Sequence, residues 1–463
     1  MEPYGFSAHL EYKLCPCGTS ERTTVSERRQ PADIPRASGG VPPTVAEPAQ
    51  RRTMIVLVIT QIIGTVGVGI APSIGVLLAG EVTDNEAWAG LARTASTLGA
   101  ALLGLPLGNL AARFGRRPAL SAGWWTAAAG SALLVVAAQG GLVVPLFIGL
   151  TLIGAGSAVS LQSRFAATDL AQPHHKGRSL ALIVWVGTIG SVLGPNLGVP
   201  GQLIGDWTEL TVYAGAFLIA AVCLALAGLV VFLWLRPDPL LLLQGSARPR
   251  SSRAGGGSGR MRLVLAELRA NRTARYALVA ILTAQVVMVS IMTMTPVHIA
   301  HHSGSITLVG ITISLHIAGM YALSPIVGHL ADRRGHRLTI GVGILVLALS
   351  LVIAALRPDS TGWVMVSLTL LGVGWSFVNV AGSALFSTVV SDQTRASAQG
   401  GVDALSNLSG AMAAFAAGPL LAVSNFATLS ILALVVLGPL TLLTLTRRGL
   451  LTAREAGPQF PGA

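Results

Sequence analysis

Polar and apolar positions fall in long blocks along this chain. No Asp, Glu, Lys or Arg occurs between Arg52 and Glu81, Arg117 and Arg164, Arg178 and Asp206, or Glu209 and Arg236. The second half repeats the pattern, with charge-free stretches from Arg275 to Asp332, Arg337 to Arg357, Asp359 to Asp392 and Asp403 to Arg447. A helix crosses the hydrocarbon core in roughly 20 residues, so the longest stretches hold two crossings and the shorter ones one. In lipid the backbone must satisfy its own hydrogen bonds, and these runs are too continuous for the alternating strands of a membrane barrel. The pattern predicts an all-α integral membrane protein of twelve transmembrane helices. The spans fall near 53–80, 87–111, 118–138, 143–166, 179–201, 210–235, 276–299, 305–327, 338–356, 362–388, 398–423 and 426–446.

Composition agrees with that reading. Hydrophobic residues make up 52% of the chain and charged residues 11%, against roughly 25% charged in an ordinary soluble domain. The net charge of +12 does not point to nucleic acid. The bases are almost all Arg and cluster at helix ends, with no basic groove or aromatic platform. They follow the positive-inside rule instead. Arg113, Arg116 and Arg117, Lys176 and Arg178, the central linker, Arg333, Arg334 and Arg337, and Arg395 fall on one side. The alternate loops carry Glu81, Asp84, Glu86, Asp206, Glu209 and Asp359, with Arg357 their only base. The expected location is a bacterial cytoplasmic membrane, with both termini and the linker cytoplasmic.

Five segments follow. Residues 1–52 read as a disordered cytoplasmic tail, or as a stretch preceding a true start at Met54. Residues 53–235 form a first six-helix bundle, 236–275 a basic cytoplasmic linker around Gly255 to Gly259, 276–447 a second bundle, and 448–463 a short tail. Three cysteines (Cys15, Cys17 and Cys223) are too few for a disulfide framework. Cys15-Pro-Cys17 could accept a soft metal on the cytoplasmic side, although a disordered or untranslated tail is the simpler reading.

The two halves echo each other. Gly108-Asn-Leu-Ala-Ala-Arg-Phe-Gly-Arg-Arg117 follows span 2, and Gly328-His-Leu-Ala-Asp-Arg-Arg-Gly-His-Arg337 follows span 8. Gly194-Pro195 in span 5 is matched by Gly418-Pro419 in span 11. A six-plus-six repeat belongs to transporters that rock two bundles about a central site. These loops resemble the hallmark Gly-x-x-x-Asp-Arg-x-Gly-Arg-Arg pattern of the major facilitator superfamily. The resemblance implies two six-helix bundles related by a pseudo-two-fold axis, alternating access, and a monomer as the common state. It also implies gating roles for Gly108, Arg113, Gly115, Arg116, Arg117, Gly328, Asp332, Arg333, Gly335 and Arg337. The first copy has Ala112 where the acid belongs, so the second, with Asp332, is expected to carry more of the gate.

The cargo is less directly written. Gly190, Gly194, Pro195 and Gly198 in span 5 resemble the Gly-rich pattern of proton-coupled drug antiporters, and would equally serve plain helix packing. None of the acids lies in the middle of a span, and Asp169 and Asp403 sit near helix ends. The Arg those antiporters carry midway along span 4 is absent from Gly149-Leu-Thr-Leu-Ile-Gly154. Proton relays usually rest on intramembrane carboxylates or His, so a carboxylate-driven drug efflux mechanism loses support. Arg93, two turns into span 2, could snorkel outward or face the cavity and hold an anion.

Span 7 carries Met288 and Met292, and span 8 carries His316 and Met320, each pair one helical turn apart. At about 1.5 Å per residue, Met288 and His316 reach similar depth near the midplane. Three thioethers and an imidazole form a soft, neutral set suited to Cu(I). Met294, His298, His301 and His302 continue this character toward the outer mouth. The Met-x-x-x-Met and His-x-x-x-Met pair resembles the signature of CcoA-like copper importers. Copper uptake is the specific expectation, with transport of an amphipathic organic solute or drug as its rival. The bland reading is that the methionines pack and His316 bonds a facing Ser or backbone group. Lipid and a small solute or Cu ion are the expected partners. No cofactor is implied, and no nucleophile–base pair or phosphate loop suggests an enzyme.

Overall fold

The computed structural model describes residues 43–85, 87–172, 175–246, 271–303, 305–390 and 395–446. Cys15, Cys17, the Gly255 to Gly259 stretch and the tail 448–463 lie outside the described residues, as does the side chain of Arg395. Twelve helices among the described residues are long and apolar enough to cross a membrane, and no strand accompanies them.

Span 1 begins earlier than the charge pattern predicts. Its helix runs Pro43–Val68, so residues 43–52, read from sequence as a disordered tail, extend the helix of the crossing. Gln50 donates to the Ala167 carbonyl of span 4 and Arg52 to the Trp234 carbonyl of span 6, tying down a polar turn that hydropathy alone excludes. A π-helical turn, Ala71–Gly75, containing Pro72, leads into Val76–Thr83. Spans 2 to 4 are Ala87–Phe114, Arg116–Gly140 and Val143–Asp169. Span 5 is Lys176–Leu193, a 3₁₀ turn Gly194–Leu197, and Gly198–Thr208. Pro195 lacks the N–H that a continuous α-helix would use there. Span 6 is Val212–Trp234, followed by a short helix, Pro239–Ser246, inside what the sequence assigns to the linker.

The second half comprises Arg272–Ser303 (span 7), Ile306–Tyr321 with Ser324–Arg334 (span 8), His336–Leu356, Thr361–Val389, Arg395–Val423 and Phe426–Thr446 (spans 9 to 12). The break in span 8 precedes Pro325. Four helix starts are capped by side chains: Thr211, Asn271, Ser305 and Asn425 each accept from a first-turn amide.

Two hydrophobic cores result. One draws only on residues of spans 1 to 6, around Trp124 and Phe217. The other draws on spans 7 to 12, joined by Val76, Leu77 and Ala89 of the first half. The turns carrying Arg113, Arg116, Arg117, Arg333, Arg334 and Arg337 define an Arg-rich end. Glu81, Asp84, Asp206, Glu209 and Asp359 define an acidic end.

The bundles meet near the acidic end. Gly90 of span 2 lies against the Ala414 carbonyl and Gly418 of span 11, and Thr94 Oγ1 donates to the Ala411 carbonyl at 2.9 Å. Spans 5 and 8 make the matching contact. Ser314 Oγ donates to the Val192 carbonyl at 2.6 Å, Asn196 Nδ2 donates to Ser314 Oγ at 2.7 Å, and Gly310 rests on Pro195 and Asn196. The same helix faces lose their partners toward the Arg-rich end. Leu98, Leu102 and Leu105 continue the Gly90–Thr94 face at 41%, 66% and 76% exposure, and Trp185 continues the Val192 face at 59%. The bundles touch at one end and part toward the other.

Candidate transport site

Polar side chains inside spans are costly in lipid and collect where bundles face each other. Arg93 follows Ala89 and Gly90 by about one turn on span 2, and both of those residues pack on the second half. Its half-buried guanidinium lies within electrostatic reach of Tyr321 and His316 on span 8. It points inward, so the outward snorkelling left open by the sequence is not the geometry found.

His316 is fully buried, but it turns toward span 10. Its Nδ1 lies 2.7 Å from the Leu368 carbonyl, and Gly372 opposite gives the ring its room. A carbonyl can only accept, so Nδ1 carries the proton in that bond and Nε2 keeps its lone pair. Nε2 has no hydrogen-bond partner. Met288, Met292 and Met320 are all buried in the second core. Span 10 packs closely on both spans 7 and 8 and is the element that fixes His316, so equal depth along neighbouring helices does not describe this ring's surroundings. Toward the acidic end, Met294 is buried, His298 bonds the Pro358 carbonyl at 2.7 Å and stacks on Phe426, and His302 lies 3.5 Å from Asp359. Those two histidines fasten span 7 to its neighbours.

Sequence reading passed over a second set. Trp375 Nε1 of span 10 donates to Gln285 Oε1 of span 7 at 3.0 Å, and the Tyr321 ring meets Trp375 edge-on at 6.2 Å. All three side chains are half-buried. Arg164 of span 4 lies within electrostatic reach of both Tyr321 and Asp403, and its Nε is buried without a partner. Asp403 and Asn407 are exposed on the face of span 11 that, one and two turns further on, meets span 2 at Ala411 and Ala414. Their spacing of four was the available signal. Arg164 was hidden by its place at the edge of a charge-free run, although the helix continues to Asp169. Gln61, fully inside span 1, donates to Ser160 of span 4 and leaves Oε1 unpartnered.

Span 5 places its glycines at close contacts with neighbouring helices. Gly190 meets Ile62 and Thr65, Gly194 meets Val66 and Gly69, and Gly198 meets Ile306 across the bundles. Pro195 occupies the 3₁₀ turn between them.

The two motif loops share a turn and differ in their partners. Gly115 and Gly335 take φ of 97° and 88° at the starts of spans 3 and 9, conformations that favour glycine. Arg116 forms a two-pronged pair with Asp169, at 2.8 and 3.2 Å, and the Arg117 amide donates to Asp238 at 2.7 Å. Arg113 lies over Phe114, while Gly108 and Gly328 have open space where a side chain would stand. In the second loop Arg337 donates to the Thr444 carbonyl, and Asp332, Arg333 and Arg334 are exposed. In the first loop, Asp169 and Asp238 stand in for the missing acid from neighbouring segments.

Two bundles, broken spans 5 and 8, duplicated turns and a polar set between the halves define a secondary transporter fold. A family profile of the Major Facilitator Superfamily matches residues 53–305 and 276–459, and the chain belongs to that superfamily. It is 37% identical to the uncharacterized MFS-type transporter YdeG of Bacillus subtilis, over 82% of this chain and 88% of YdeG. It is 30% identical to the riboflavin transporter RfnT of Brucella anthropi, over 82% of this chain and 92% of RfnT. Among solved structures, the nucleoside transporter NupG superposes with a TM-score of 0.65 at 16% identity, covering 86% of this chain and 98% of NupG.

Proposed function

We propose that this transporter carries an amphipathic, ring-containing organic solute by alternating access, with the Arg-rich end and both termini in the cytoplasm. The Trp375–Gln285–Tyr321 set carries this reading. It offers an aromatic face, an amide and a phenol beside Arg93 and Arg164, a combination that suits a planar molecule with polar edges. The likeness to a riboflavin transporter supports the same solute class. The Arg distribution supports the orientation, under which the conformation described is open to the cytoplasm. The chain is taken to work as a monomer, with each bundle contributing half the site.

The test is uptake of riboflavin, and of a panel of neutral and anionic aromatic solutes, into proteoliposomes containing the full chain. Stacking on an aromatic side chain contributes about 0.5–1.5 kcal/mol. Trp375→Ala should therefore raise the half-saturating concentration by roughly two- to tenfold. No uptake of any solute in the panel, or a Trp375→Ala variant indistinguishable from the parent, would sink the reading.

Copper uptake remains the second reading, favoured by one observation. His316 Nε2 is buried with its lone pair uncommitted, while Nδ1 is braced by a backbone carbonyl, an arrangement that suits a soft-metal ligand. Met288, Met292 and Met320 would be the thioether donors. Here His316→Ala abolishes whole-cell copper accumulation and leaves organic solute uptake intact. Normal copper content in that variant rejects it.

A further inference from the structure

Between the Arg-rich ends of spans 1 and 6 lies a groove of about 920 Å³. Among the described residues only spans 1 and 6 line it, on the side of the first bundle away from the contacts with the second. Its walls are apolar: Ile55 and Ile59 of span 1 are about half exposed and face Val230 of span 6. Its rim is cationic. Arg51 and Arg52 stand at the same level as Trp234, and both are exposed. Arg52 spends only its Nε, on the Trp234 carbonyl at 3.1 Å, which leaves both terminal nitrogens available. Arg51 has no hydrogen-bond or ion-pair partner among the described residues. Glu47 also lines the rim, and its Oε1 accepts from Gln172 at 3.0 Å. Arg236, two residues beyond Trp234, is exposed, and Arg117 lies over the Phe232 ring at 4.6 Å, so the surrounding surface is positive.

An apolar slot in a membrane-embedded face fills with hydrocarbon, and an interfacial Trp with Arg at the same depth marks headgroup level. We propose that this groove is a binding site for an anionic phospholipid. The phosphate sits between Arg51 and Arg52, and one acyl chain runs along Ile55, Ile59 and Val230. Arg outranks Lys for this task because its planar fork presents paired donors to phosphate. The bound lipid would brace residues 43–52, the helical extension already pinned by Gln50 and Arg52, against span 6.

Native mass spectrometry of the full chain in detergent tests this, with dioleoylphosphatidylglycerol and dioleoylphosphatidylcholine offered in equal amounts. The expected result is preferential retention of the glycerol lipid. Arg51→Gln should lower that preference about fivefold, the effect of one interfacial cation, and Arg51→Lys should lower it less. Ile59→Trp, which fills the slot, should reduce retention of both lipids. Arg51 is exposed and unpaired, so its variants retain the parental helicity by circular dichroism. Equal retention of the two lipids by the parent overturns the proposal, as does an unchanged ratio in Arg51→Gln. Displacement by inorganic phosphate alone would make this a free-anion site. Retention that appears only after removal of residues 1–42 would make the chain's own N-terminal segment the occupant.

Discussion

The loop Gly108–Arg117 and the loop Gly328–Arg337 began as one pattern and now solve the same problem differently. Both turn on a glycine with positive φ, because no other residue takes that backbone without strain. Beyond that turn they diverge. The first loop lacks its acid and takes carboxylates from elsewhere, Asp169 from span 4 and Asp238 from beyond span 6. The second keeps Asp332 at the surface and relies on Arg337 and a carbonyl of span 12. The turn is the invariant part of the device, and the counter-charge can come from any neighbour placed close enough. A motif match therefore locates the bend more securely than it locates the ion pair.

The sharpest way to break this comparison is at the glycines. Gly115→Ala places a methyl group against the Asp238 carboxylate in addition to straining the backbone. A strained φ costs about 1–3 kcal/mol, and losing a charged hydrogen bond about as much again. The expected loss is roughly 2–6 kcal/mol, read as a lower unfolding temperature in detergent, and it exceeds the loss in Gly335→Ala. Equal losses would mean that Asp238 is not a working partner of the first loop.

The carboxylates come next. Asp169→Asn leaves a mostly buried Arg116 facing a neutral amide, and should cost about 1–3 kcal/mol. Asp332→Asn should stay within about 0.5 kcal/mol, as expected for an exposed side chain. If both cost the same, the contrast between the loops fails. The smallest effect is expected from Ala112→Asp, which restores the acid to the first copy. Asp169 and Asp238 already hold that loop, and a new negative charge near a helix C-terminus meets the wrong end of the dipole. Unfolding should shift by less than about 0.5 kcal/mol. A clear stabilisation would show the missing acid to be a real deficit.

Much of this architecture was legible in the sequence because lipid is an unforgiving solvent. Charge-free runs located most spans, although span 2, which holds Arg93, lies outside all of them. What failed to show was whatever depends on rotation about a helix axis or on neighbours distant along the chain. Counting from the turn between spans 7 and 8 gave the depth of His316, but its bonding partner is Leu368 of span 10, which only the closed bundle brings alongside. Arg164 only marked the edge of a charge-free run, and Asp403 was set aside as lying near a helix end, because charge was read as a sign of a boundary. Their helices run past them. Residues 43–52 were missed for the same reason, since hydropathy cannot see a polar turn held by Gln50 and Arg52. The Trp375–Gln285 bond joins residues ninety positions apart, and no local spacing encodes it.

The close approach of spans 2 and 11 has a consequence for how the cycle responds to its surroundings. At the acidic end the halves are held by Gly90, Thr94, Ala411, Ala414 and Gly418, through backbone contact and one hydroxyl. Among the described residues no ion pair bridges the bundles there. Dissolved ions screen exposed charges over about 10 Å at 0.1 M and leave van der Waals contact untouched. The contacts between spans 2 and 11 therefore draw little on charge that salt can screen, whereas the Arg-rich end carries its charge at the surface. Under the proposed alternating access, added salt should act first on the contacts that close the Arg-rich end.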